Sequence, residues 1–154
     1  MSGSPIELSV PSDAKELPNV RDAVRGWTTA QGWDEHDIAD LVLAVDEALT
    51  NVIRHGYGGA AGKPIELSLR EVRDGAGRAG VEIVVRDYGR QVPLDRICGR
   101  DLDDLRPGGL GVHIIRNVME SAEYSHAKGG GMRLVMRKFP RPAPGAPAEG
   151  ETKA

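Results

Sequence analysis

The chain opens on an alternation of apolar and polar residues. Residues 6–10 read IELSV, a period of two that predicts a short strand with one buried face. The period then lengthens. Val20, Val24 and Trp27 recur at i, i+4 and i+7 behind Pro18, which suits a first helical turn, and Gly32 supplies a stop. A second helix opens at Asp34, a good N-cap, with Glu35 and Asp37 at its positive end, and runs to about His55 before Gly56. On it Ile38, Leu41, Val45, Ala48 and Val52 form one stripe at about 100° per residue, the predicted core face. Residues 65–72 (IELSLREV) and 81–87 (VEIVVRD) predict two strands joined by a flexible DGAGRAG connection. A helix over about 111–120 and strands near 122–126 and 132–138 complete the order βααββαββ. That order predicts an α+β fold: a two-layer α/β sandwich, helices on one face of a mostly antiparallel sheet.

Composition narrows the class. The 154 residues fit one domain, assigned to 1–139, followed by PRPAPGAPAEGETKA over 140–154. That Pro-rich tail has no apolar periodicity and is expected to be disordered and to add nothing to the core. Aromatic residues make up only 4%, so the core is expected to rest on Val, Leu, Ile and Ala, with Trp27 inside it. A net charge of −3 argues against a sequence-independent phosphate-backbone binder, hence no direct nucleic-acid partner. A single cysteine, Cys98, leaves no internal disulfide and no CxxC metal site. No apolar run approaches the roughly 20 residues that cross a bilayer, and no basic, apolar leader is seen. The expectation is a cytoplasmic protein without membrane attachment.

Chemistry enters on the second helix. Asp40, Glu47, Asn51 and Arg54 lie together on a flank beside the apolar stripe. Glu47 and Asn51 are i, i+4 neighbours that can point at one ligand. Mg²⁺ commonly takes one or two protein oxygens alongside phosphates and water, and an Asn carbonyl provides one without adding charge. The Glu is then free to orient a hydroxyl or accept its proton. An isolated E-x-x-x-N is more often a solvated flank, so the pair needs company. Asp87 ends an apolar strand with Gly89 two residues on, which fits an acceptor for an exocyclic amine beside a close backbone approach. Gly108, Gly109 and Gly111 stand before an apolar helix, where free N–H groups bind phosphate.

Other motifs fall away. GYGGAA at 56–61 follows a helix instead of a strand, so it fails the dinucleotide-binding test, and no P-loop pattern occurs. His55, His113 and His126 read as capping or packing residues, and Asp101, Asp103 and Asp104 lack the EF-hand pattern.

Together the segments D-E-A-L-T-N-V-I-R-H-G-Y (46–57), D-Y-G (87–89) and G-G-L-G-V-H-I-I (108–115) resemble the N, G1 and G2 boxes of the GHKL ATPases. Over roughly residues 6–139 the chain is most similar to the small RsbW-type anti-sigma factors, which are also serine kinases. The resemblance implies a Bergerat-type sandwich binding Mg·ATP. Glu47 matches the catalytic base, Asn51 the magnesium ligand, Asp87 the adenine reader and Gly89 its neighbour beside the ring. Gly108, Gly109, Leu110 and Gly111 match the phosphate loop, residues 90–108 the lid with Arg106 reaching the γ-phosphate, and Arg21 a partner-contacting arginine. The implied partners are a sigma factor, a STAS-type anti-sigma antagonist and a second copy of the chain.

Two positions depart from the family pattern. Gln91 stands where a second G1 glycine is usual, and Gly130 where a threonine hydroxyl usually supports the adenine network. Losing one such hydrogen bond costs about 1 kcal/mol. The departures motivate an alternative, a partner-binding module without phosphoryl transfer. A second alternative is a catalytic module acting on a histidine or other target.

Overall fold

In the computed structural model, residues 4–94 and 109–141 are described. Strand β1 (Ile6–Pro11) leads through one 3₁₀ turn into helices α1 (Leu17–Ala30) and α2 (Glu35–Asn51). Strands β2 (Pro64–Arg73) and β3 (Ala79–Asp87) follow, then helix α3 (Gly109–Val118) and strands β4 (Ser121–His126) and β5 (Met132–Lys138). The order is the one the periodicities predict. All pairings are antiparallel, in a five-stranded sheet ordered β1-β2-β3-β5-β4.

Period-two alternation decides which face is covered. Ile65, Leu67 and Leu69 of β2, Val81, Ile83 and Val85 of β3, and Leu134 and Met136 of β5 are buried in one cluster. Val20 and Val24 of α1, Leu41, Val45 and Ala48 of α2, and Ile115 of α3 join them. The whole predicted stripe on α2 is buried, as is Trp27, whose indole N–H donates to the Ser4 carbonyl at 2.9 Å. Fully burying aliphatic side chains of this size contributes about 1.5–3 kcal/mol each. Asp34 caps α2 by accepting from the Asp37 amide at 2.9 Å.

The second helix does not run unbroken to His55. Regular α-helix stops at Asn51, and Val52–Gly56 form a π turn. Such turns widen the backbone spiral and are frequent at functional sites. The strand phase also places one polar residue among the inner row: Asp87 follows Val81, Ile83 and Val85 at intervals of two, so its carboxylate closes that row on the helix side. At the far end of the sheet Lys138 lies opposite Val81 in the same row.

The chain stays tied down past β5. Arg141, within the stretch read as tail, donates its amide and Nε to Asp37 at 2.9 Å each and pairs with Asp40 at 3.0 Å.

A nucleotide-type site between the second helix and the third strand

Two ends meet here, the end of α2 and the end of β3. Their junction is stitched by backbone. The Arg90 amide donates to the Gly56 carbonyl at 2.9 Å, and Arg90 Nε donates to the His55 carbonyl at 3.1 Å. Gly89 is required by this closeness, since a Cβ there would overlap the Gly56 carbonyl. The Tyr57 hydroxyl donates to the Pro64 carbonyl at 2.5 Å and accepts from the Tyr88 amide at 2.7 Å, fixing the exit of the π turn. Burial raises the Tyr57 pKa, so this hydroxyl stays protonated.

Asp87 sits at the bottom of the junction, 2% exposed. Its Oδ1 accepts from the Gly89 amide at 2.9 Å and the Met132 amide at 3.2 Å. Its Oδ2 has no hydrogen-bond partner among the described residues and stays available to a ligand donor. Burial raises the Asp87 pKa, and the two amides and Arg86 offset that only in part. A site with one occupied and one open carboxylate oxygen suits an amine donor.

At the α2 end the Asn51 Oδ1 is buried and unpaired among the described residues. A buried carbonyl left without a donor costs about 1–3 kcal/mol, so such an atom in a folded protein needs a partner, which water, an ion or a ligand can supply. Glu47, one turn earlier, is half-buried, and no hydrogen bond or ion pair engages its carboxylate among the described residues. Helix α3 packs on α2 and starts at Gly109, so backbone amides of Gly109, Leu110 and Gly111 lie in its first turn. Gly108 and Arg106 lie outside the described residues, as do Cys98 and the aspartates at 101, 103 and 104.

Arg21 lies elsewhere. From α1 it grips Asp46 with Nε at 2.9 and 3.0 Å and its terminal nitrogen at 2.9 Å, which raises its pKa further. Asp40, on the same flank as Glu47, is engaged by Arg141 and is not part of the site. His126 is exposed, with its Nε2 2.8 Å from the Val92 carbonyl, a hydrogen bond to the segment after β3.

Gly130, a departure from the family pattern in the sequence, lies in a glycine turn between β4 and β5 that closes on Asp87. A Cβ on Gly131 would overlap the Asp87 carbonyl, and Gly130 has φ of 109°, a conformation closed to a β-branched threonine without strain. The G-G-G run was its signal. The turn that carries Gly130 supplies the Met132 amide to Asp87 Oδ1 at 3.2 Å.

Comparison with known proteins adds the decisive observation. The family model for the histidine kinase-like ATPase domain matches residues 10–138. The chain belongs to this family. Within it the chain is 31% identical over 142 residues to the serine-protein kinase RsbW of Halalkalibacterium halodurans, covering 87% of the chain and 82% of the relative. It is 27% identical to the serine-protein kinase RsbW of Bacillus pumilus, covering 87% and 85%. A solved structure of the RsbU and RsbW domains of a Mycobacterium tuberculosis protein superposes with a TM-score of 0.65 at 24% identity. That match spans 92% of the chain and 34% of the larger protein, and it shows the shared fold. The observed sandwich is the Bergerat-type fold of the family, and the family uses ATP. Among the described residues no helix is long and apolar enough to cross a membrane.

Proposed function

We propose that this protein is an anti-sigma factor that uses Mg·ATP to phosphorylate a serine on a small STAS-type antagonist and so exchanges one protein partner for the other. The observation that carries the nucleotide half is the buried, unpartnered Asn51 Oδ1 at the end of α2. It fits a hard cation, which takes oxygen ligands. No three His, Cys, Asp or Glu side chains converge on one point among the described residues. Magnesium commonly takes only one or two protein oxygens, so at Asn51 it would complete its shell with phosphate oxygens and water and would neutralise charge developing on the phosphates.

The remaining roles fall to the chain's own groups. Asp87 Oδ2 accepts from the adenine amine, and Gly89 lets the ring approach the backbone. The first-turn amides of α3, from Gly109, Leu110 and Gly111, face phosphate oxygens with the helix dipole behind them. Glu47 orients the attacking serine hydroxyl and takes its proton as the oxygen bonds to the γ-phosphorus and the bond to ADP breaks. Arg106 and Gly108 complete the phosphate contacts, and Arg21 offers a partner contact from α1. Action is expected in the cytoplasm, as a homodimer.

The support for a serine target is the naming of the relatives as serine-protein kinases. The test is incubation with γ-labelled ATP, Mg²⁺ and a STAS-type antagonist. Label on serine is expected. Glu47→Ala should lower transfer at least a hundredfold while ADP affinity stays within about twofold, the range seen when a positioned base is lost. Label on histidine, or ATP binding with no transfer, would overturn the kinase reading.

A further inference from the structure

Four carbonyls of the turn joining β4 to β5 are held by just two side chains. Arg86 donates to the Gly130 carbonyl at 2.7 Å, to the Lys128 carbonyl at 3.1 Å and to the Asp87 carbonyl. Gln91 Nε2 donates to the Ala127 and Gly131 carbonyls at 3.2 Å each. The Arg86 guanidinium also stacks on the Tyr88 ring at 3.9 Å, and the Tyr88 hydroxyl bonds both Glu66 carboxylate oxygens at 2.9 Å. Three successive glycines at positive φ give this turn little stiffness of its own. Yet it must hold one amide steady, that of Met132 on Asp87 Oδ1.

We propose that Arg86 and Gln91 are positioning residues for nucleobase selection, clamping the glycine turn so that the Asp87 carboxylate keeps Oδ2 aimed at a 6-amino group. The inference rests on the adenine-reading role of Asp87. The geometry makes Gln91 more than a lost glycine. Its amide donors reach the two carbonyls that flank the turn, which a glycine cannot do. Arg86 reaches the two carbonyls between them and braces Asp87's own carbonyl. Because Gln91 is exposed, its share is the smaller one.

Selectivity separates positioning from mere stability. ADP carries an amine at purine position 6, whereas inosine diphosphate carries a carbonyl that cannot donate to a carboxylate. Calorimetric affinities for both are measured on the full chain and on Arg86→Ala, Gln91→Ala and Arg86→Lys. The wild type is expected to prefer ADP. Arg86→Ala is expected to weaken ADP about five- to tenfold and Gln91→Ala about two- to threefold, with inosine diphosphate within twofold, which is the scale of one or two lost hydrogen bonds. Arg86→Lys, which keeps the charge without the fork, is expected to fall between wild type and Arg86→Ala. Should Arg86→Ala fail to fold, Gln91→Ala and Arg86→Lys carry the test. Equal weakening of both nucleotides, or an unchanged preference, overturns the proposal and leaves the nucleotide site standing. A wild type that binds neither nucleotide, or both alike, overturns the adenine-reading role and the proposal with it.

Discussion

Burial raises the Asp87 carboxyl above the ordinary carboxylate value, and the Gly89 and Met132 amides and the Arg86 charge pull it down only partway. Two consequences of opposite sign follow. For stability, the Asp87 contribution is fully present below the unfolded-state pKa and is lost as pH rises through the higher folded-state value. For binding, the proposed amine donor needs the ionised carboxylate, so adenine affinity is expected to weaken as pH falls through that same folded value. Asp87→Asn is therefore expected to raise the melting temperature at neutral pH while lowering ADP affinity about tenfold or more, the scale of a lost charge-assisted hydrogen bond. It should also flatten the acid side of the affinity profile. Calorimetry across pH measures all three, and ADP affinity unmoved by Asp87→Asn would remove the carboxylate from the site. Asp87 itself was legible in the sequence, because an Asp closing an apolar strand has few bland explanations once two glycine segments accompany it. Its partners were not. The Met132 amide lies 45 residues away, and no local pattern encodes which distant N–H a carboxylate will meet.

Elements were more legible than their ends. The 3.6 and 2.0 periods report which side of a helix or strand faces apolar neighbours, and that is why the α2 stripe and the alternating strands could be read directly. The π turn at Val52–Gly56 could not, because Val52 continues the helical stripe and only the demand to bring Gly56 against Asp87 and Gly89 changes the spiral. Strand β3 hides a second tertiary feature on its outer face. Glu82, nearly buried, is flanked in register by Arg70 on β2 and Arg137 on β5, at 2.7 Å from each. Burial alone would raise the Glu82 pKa, but the hydrogen bonds from Arg137 and Arg70 outweigh it and the net shift is downward. Its stabilisation is thus present above the unfolded-state pKa and lost as pH falls through the lower folded value. Glu82→Gln is expected to cost about 1–2 kcal/mol at neutral pH, the arginines being half exposed and their pairing screened. The gap to wild type should shrink in acid; a gap that stays constant with pH would mean that packing, not charge, holds these three strands.

Across the whole molecule, α2 is a beam fixed at both ends. Its C-terminal end meets Asp87 through the π turn. Its N-terminal end carries Asp37, fully buried, held by the Arg141 amide and guanidinium, with the Lys138 Nζ 3.9 Å away. Between Asp37 and Asn51 the helix rises about 21 Å, at 1.5 Å per residue. The contact of Arg141 therefore braces the helix that bears Glu47 and Asn51, about 21 Å along the helix from Asn51. A tail beginning at residue 140 that adds nothing to the core implies that loss of Arg141 is silent. The ion pairs imply otherwise: Arg141→Ala removes the guanidinium and leaves the buried carboxylate with the backbone amide of position 141 and the more distant lysine. Its expected cost is about 1–2 kcal/mol, less than for a fully buried pair because Arg141 is half exposed. In a chain of this size that lowers the melting temperature by about 2–6 °C. Ending the chain after Ala143 keeps Arg141 and is expected to leave the melting temperature within about 1 °C, since PGAPAEGETKA has no apolar periodicity with which to join a core. ADP affinity should match wild type in both variants, because a contact about 21 Å along the helix from Asn51 supports the beam without touching the ligand. A melting temperature unchanged by Arg141→Ala would show that Lys138 and the backbone amide of position 141 suffice for Asp37. A fall in ADP affinity with the fold intact would show instead that the far anchor sets the position of Asn51.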